Sequence, residues 1–163
     1  MLFISLLLIF FQDIRQREVW LFLLPVFAIT GSILFYNSVQ SEQFYYSIPI
    51  NLAIVSILIL INYLFARFIL KKSLFKEALG LGDMLFFIAF ALSFPTLSFI
   101  NFFVFSLLFS LVIQQVLRLY YKYKNTNSEE SQSTIPLAGY MSVFLIAVYS
   151  THWLGFYHTI YLM

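Results

Sequence analysis

"IPINLAIVSILILINYLFARFI", residues 48–69, carries a single charged side chain, Arg67, close to its end. As an α-helix rising about 1.5 Å per residue it is about 33 Å long, enough to cross a hydrocarbon core of roughly 30 Å. Apolar runs recur on both sides of it, and together they give six expected spans near residues 1–14, 19–37, 48–69, 83–95, 98–118 and 136–156. Helices are favoured over a barrel, whose strands would alternate polar and apolar residues in runs of about ten. The whole chain is 62% hydrophobic and 10% charged, with a mean hydropathy of +0.92, well above a soluble domain of this size. The expectation is an all-α integral membrane protein: one domain over residues 1–163, folded as a bundle of about six transmembrane helices.

Polar breaks separate the spans: "DIRQRE" (13–18), "NSVQSEQ" (37–43), "KKSLFKEALGLGD" (71–83), "SFPTLS" (93–98) and "YKYKNTNSEESQST" (121–134). Cytoplasmic loops retain Lys and Arg. All nine basic residues fall on one side of the expected topology: Arg15 and Arg17, then Arg67, Lys71, Lys72 and Lys76, then Arg118, Lys122 and Lys124. Both termini are therefore expected outside. His152, Trp153, Tyr157 and His158 join Tyr36, Tyr45 and Tyr46 in an outer aromatic belt. The opening run "MLFISLLLIFF" has no basic residue before Arg15 and no small-x-small cleavage site after it, so it reads as a retained first helix. "FVFSLLF" (103–109) reads as membrane-facing filler.

Composition narrows the chemistry. The chain has no cysteine, which removes disulfides, thiolate metal sites and cysteine nucleophiles. A net charge of +2, dispersed along the chain, does not suit nucleic acid. His152 and His158 have nothing nearby to complete a metal site, so neither metal nor cofactor is expected. Glu18 and Glu77 sit in basic loops, where solvated ion pairs with Arg15, Arg17, Lys72 or Lys76 are expected. Asn51, Asn62, Asn101 and the Gln114–Gln115 pair are read as polar links between helices.

Two aspartates stand apart. Helix 1 runs inward and ends at Asp13, while helix 4 runs outward and begins at Asp83, so the topology sets both carboxylates at one depth near the cytoplasmic interface. Both helices are short for a bilayer; the first, over residues 1–14, is about 21 Å long. An ionisable group in a span is costly and points to function with a partner, and each aspartate is the natural partner of the other. Two close carboxylates cannot both ionise cheaply, so they share a proton. One then activates a water as base while the other polarises a carbonyl as acid, which is aspartic proteolysis without metal or covalent nucleophile. Gly80 and Gly82, just before Asp83, are expected to give the entry to helix 4 glycine-only torsions and to let an extended substrate approach. Taken singly, Asp83 reads more readily as a helix N-cap, the glycines as a turn and Asp13 as the first polar residue after a span; it is their conjunction at one depth that favours function.

These motifs resemble the prepilin peptidases, membrane aspartic proteases of type IV pilus, competence and type II secretion systems. The first aspartate lies in "FQDIRQREV" (11–19) and the second in Gly-x-Gly-Asp, here "GLGDMLFF" (80–87). "TIPLAGY" (134–140), opening the last helix, is similar to a Pro-containing segment of that family. The resemblance implies Asp13 and Asp83 as the catalytic pair, and a prepilin or pseudopilin substrate cut at the inner face of the cytoplasmic membrane between a short basic leader and an apolar helix. Two departures bear on substrate positioning: "EVW" (18–20) stands where many members have Ile-Pro-Asn, and Leu85 where many have Lys. Members that also N-methylate pilin carry an amino-terminal cysteine-containing segment; with no cysteine here, peptidase activity alone is expected. A presenilin-like intramembrane protease shares Gly-x-Gly-Asp but carries a Pro-Ala-Leu motif absent from this chain. A non-enzymatic transporter or secretion scaffold is the remaining alternative, and a transporter usually shows two related halves. Oligomeric state is not legible.

Overall fold

The computed structural model describes residues 1–16, 19–65, 67–68, 80–123, 136–155 and 160–161. Among these the chain is all-α, with six helices and no strand: α1 (Leu2–Gln16), α2 (Leu23–Ser38), α3 (Ser41–Phe65), α4 (Leu81–Ala91), α5 (Thr96–Tyr123) and α6 (Leu137–Trp153). α3 and α5 are long and apolar enough to cross a membrane. The basic-loop residues Arg17, Lys71, Lys72, Lys76 and Lys124, the loop acids Glu18, Glu77, Glu129 and Glu130, and Tyr157 and His158 lie outside the described residues; of Lys122 only the backbone is described.

Helix boundaries depart from the hydropathy reading for local reasons. α2 starts at Leu23, not near 19, after a turn in which the Leu23 N–H donates to the Trp20 carbonyl. Pro25 is tolerated in a first turn but not in a helix interior, which an earlier start would require. The break expected over 37–43 shrinks to Val39 and Gln40. α6 ends where Gly155 adopts φ 78°, a left-handed conformation that glycine accepts without steric cost, with its N–H donating to the His152 carbonyl. Further along, Ile160 and Tyr161 are buried, Tyr161 stacking on Phe35.

α4 is the centre of the bundle. At 11 residues it is only about 16 Å long, yet Met84, Phe86, Phe87, Ala89, Phe90 and Ala91 are all buried. Burial on nearly every side is how a short apolar helix is accommodated. Its phenylalanines form edge and stacked pairs with Phe27, Phe99 and Phe103. Phe103 and Ser106 are therefore core; in the run read as membrane-facing, only Val104, Phe105 and Leu108 are exposed, because residues three or four apart on a helix share a face and those between them turn away from it. Ile50, Ile57, Leu60, Ile61 and Leu64 of α3 are also exposed, an apolar surface suited to lipid.

Small residues let α2 meet the end of α4. A side chain on Gly31 would lie 2.2 Å from Ser93 Oγ, and Ser32 Oγ donates to the Leu92 carbonyl at 3.0 Å. Asn51 of α3 is fully buried and its amide donates to the Ala91 and Phe94 carbonyls at 3.0 and 2.8 Å, linking α3 to the end of α4. Asn62 instead bonds the Leu58 carbonyl of its own helix, and Asn101 is exposed. Replacing Asn51 by Leu leaves two buried carbonyls without this donor. The expected cost is about 1–2 kcal/mol, read as a lower unfolding midpoint in detergent with α3 still helical by circular dichroism.

Candidate active site

The buried residues of α1, Leu2, Ser5, Leu6, Ile9 and Asp13, recur at helical spacing along one stripe. Asp13 ends that stripe, buried at 6% exposure. The stripe faces α6, whose own buried line runs through Ala138, Gly139, Ser142, Leu145 and Tyr149. Serines, alanine and glycine at this seam allow the two backbones to approach closely.

Asp83 is placed by the start of α4. Gly80 is the N-cap residue, and its backbone N–H donates to the Asp83 carboxylate three positions on, the reach-back half of a capping box. Gly80 has φ −68° and ψ 148°, and among the described residues Gly155 is the only glycine at positive φ. The glycine-only torsions expected at Gly80 and Gly82 are thus absent; Gly82 lies inside α4. A Cβ would meet only ordinary contacts at either position. A Cβ on Gly80 would lie 3.6 Å from Asp83 Oδ2, and one on Gly82 would lie 3.7 Å from Val19. Val19 lies over this turn, and the next residue, Trp20, donates its N–H to Gln12 Oε1 at 3.1 Å.

The two aspartates meet through a third element. α1 and α4 pack mainly on other helices rather than on each other. α6 begins after Pro136 with no side-chain cap, so the amides of its first turn need outside acceptors. Ala138 N–H donates to Asp83 Oδ1 at 3.0 Å, and the next amide, Gly139 N–H, donates to Asp13 Oδ2 at 2.5 Å. Adjacent amides of one turn reach two acceptors only if those acceptors lie close to one another. The positive end of the α6 dipole faces the pair.

Both aspartates singled out in the sequence are therefore brought together, with Gly80 and Gly82 beside the second. Ala138 and Gly139 were missed as site residues. The available signal was Pro136 and, after Leu137, two small residues at the head of the last helix. Among the described residues no group of three His, Cys, Asp or Glu side chains could hold a metal ion. The sequence profile of the type IV leader peptidase family matches residues 1–114, a segment that contains both aspartates. The chain belongs to the type IV leader peptidase family. Neither a curated protein nor a solved structure matches it. The resemblance read from the two aspartate motifs is thus a true kinship, and membership in a leader peptidase family carries protease activity with it. In this leader peptidase α1 to α4 and most of α5 lie within the matched segment, while the α6 amides that receive both carboxylates lie beyond it.

Proposed function

We propose that the chain is a membrane-embedded aspartic endopeptidase that removes the short basic leader of prepilin-like or pseudopilin substrates at the cytoplasmic face of the membrane, with Asp13 and Asp83 as its catalytic pair. The observation that carries this reading is the docking of both carboxylates on consecutive amides of α6. All six helices act as spans of one peptidase domain in the cytoplasmic membrane, with both termini outside. In support, the end of the bundle that holds the aspartates also holds Arg15 and Arg67, while Tyr36, Tyr45, Tyr46 and Trp153 are exposed at the other.

In this mechanism the carboxylates share one proton. The ionised member takes a proton from a water as it attacks the scissile carbonyl; the protonated member hydrogen-bonds the carbonyl oxygen and later helps protonate the leaving amine. A substrate helix unwinds locally to present its peptide bond, and its extended strand docks beside Gly80 and Gly82. Gly80 is exposed and has an extended backbone that valine also adopts, so Gly80→Val tests for lost space without backbone strain. The expected result is a KM about tenfold higher with kcat little changed, the mark of lost ground-state binding. An unaltered KM removes Gly80 from the docking surface.

The reading itself is tested by mass spectrometry of a prepilin-like substrate incubated with membranes containing the chain. Shortening by one leader at the boundary of the basic segment and the apolar helix supports it. A cut within the substrate's apolar span, or no cut by protein shown to be inserted, overturns it.

A further inference from the structure

We propose that Gly139, together with Ala138, positions the dyad: adjacent amides at the start of α6 hold one oxygen of each aspartate, and the missing Gly139 side chain leaves the room that Asp13 occupies. The inference rests on the reading of Asp13 and Asp83 as the catalytic pair. Three observations carry it. First, α1 and α4 make little contact with each other, so the separation of their carboxylates is set by what both of them touch, and both touch α6. Second, a Cβ on Gly139 would lie 3.0 Å from Asp13 Oδ2 and 3.2 Å from Asp13 Cβ. Glycine is not needed there for its torsions, since Gly139 is helical and not at positive φ, and within a helix it is less stable than alanine. Its use is the space it leaves for the carboxylate. Third, Ser142 Oγ donates to the Gly139 carbonyl at 2.7 Å, tying this turn to the next and stiffening the donor pair.

The arrangement also orders the proton. An N–H can only donate, so Asp13 Oδ2 and Asp83 Oδ1 are held as acceptors. The shared proton is thereby kept off these two oxygens. A side chain at 139 pushes the Asp13 carboxylate off its amide and frees that orientation.

The test compares wild type, Gly139→Ala, Gly139→Val and Leu145→Ala, a buried α6 residue away from the dyad, in prepilin cleavage normalised to folded, inserted protein. Asp13→Asn and Asp83→Asn run alongside. Positioning predicts a kcat about tenfold lower for Gly139→Ala and about a hundredfold lower for Gly139→Val. KM should move by less than about twofold, since substrate binding is untouched. Leu145→Ala should lower the folded fraction and leave kcat per folded molecule unchanged. Wild-type kcat in folded Gly139→Val, with both Asp→Asn variants inactive, overturns the inference while the peptidase reading stands; cleavage by the Asp→Asn variants removes both. A readout that does not need the glycine variants to fold is the amide spectrum of protein labelled with 15N-glycine and 15N-alanine in micelles. The Gly139 amide proton should lie downfield in wild type and move upfield in Asp13→Asn, and the Ala138 amide should respond to Asp83→Asn. Amides unmoved by these substitutions rule out the clamp.

Discussion

Asp13→Asn and Asp83→Asn are each expected to lower prepilin cleavage by at least about a thousandfold, in the range general acid–base groups supply. Asparagine is the informative substitution. It keeps a carbonyl oxygen that can accept the Gly139 or Ala138 N–H, so the bonds that dock α1 and α4 on α6 survive. What it removes is the capacity to exchange a proton. The unfolding midpoint in detergent and the inserted fraction should therefore stay near wild type, whereas alanine would also strip an α6 amide of its acceptor. Because the two groups act as one unit, the double variant should be no slower than either single one. Time courses of leader removal, followed by mass spectrometry at matched amounts of inserted protein, measure this. Cleavage persisting in the double variant would show that the carboxylates are structural caps of α6 and nothing more.

Gly31→Ala should be the most damaging substitution among the glycines for the fold. Its Cβ would stand 2.2 Å from Ser93 Oγ and 2.7 Å from Ser93 Cβ, inside van der Waals contact. Ser93 Oγ is itself engaged, donating to the Ala89 carbonyl at 2.8 Å. The gain in helix propensity on replacing glycine, up to about 1 kcal/mol, is smaller than the about 1–3 kcal/mol typical of overpacking a close contact, so destabilisation wins. Ser93→Gly should rescue it, because the nearest remaining Ser93 atom is Cα at 3.5 Å, an ordinary contact. The pair should thus couple by more than about 1 kcal/mol in a double-mutant cycle. The contact lies at the end of α4 opposite Asp83, so kcat per folded molecule should change little. A Gly31→Ala protein as stable as wild type would mean that α2 and α4 are not held this closely.

Much of this protein was legible in its residues. Hydropathy alone marked six helical segments, because each buried or lipid-facing helix must be apolar over most of its length, and the observed helices overlap all six. Asp13 and Asp83 stood out because a carboxylate at the end of an apolar run is expensive to keep without a use. Local chemistry that hydropathy does not register moved the boundaries: Pro25 delayed α2 and Gly155 closed α6. The torsional role given to Gly80 and Gly82 did not survive, since neither adopts a positive φ and Gly82 lies within α4.

Determined by the sequence alone were the all-helical class, the two aspartates and their placement at the same end of an alternating set of helices. The tertiary structure alone decided how the aspartates meet. Asp13 and Asp83 are 70 positions apart, and nothing in the spacing of their own helices requires contact; it is the uncapped start of α6, with Ala138 and Gly139, that gathers both carboxylates. Backbone amides carry no side-chain signature, so Pro136 and the small residues Ala138 and Gly139 marked a helix start without showing what its amides bind. The donor pair exists only because the first turn of any helix leaves its N–H groups seeking acceptors, and because packing brings α1 and α4 to the same end of the same helix.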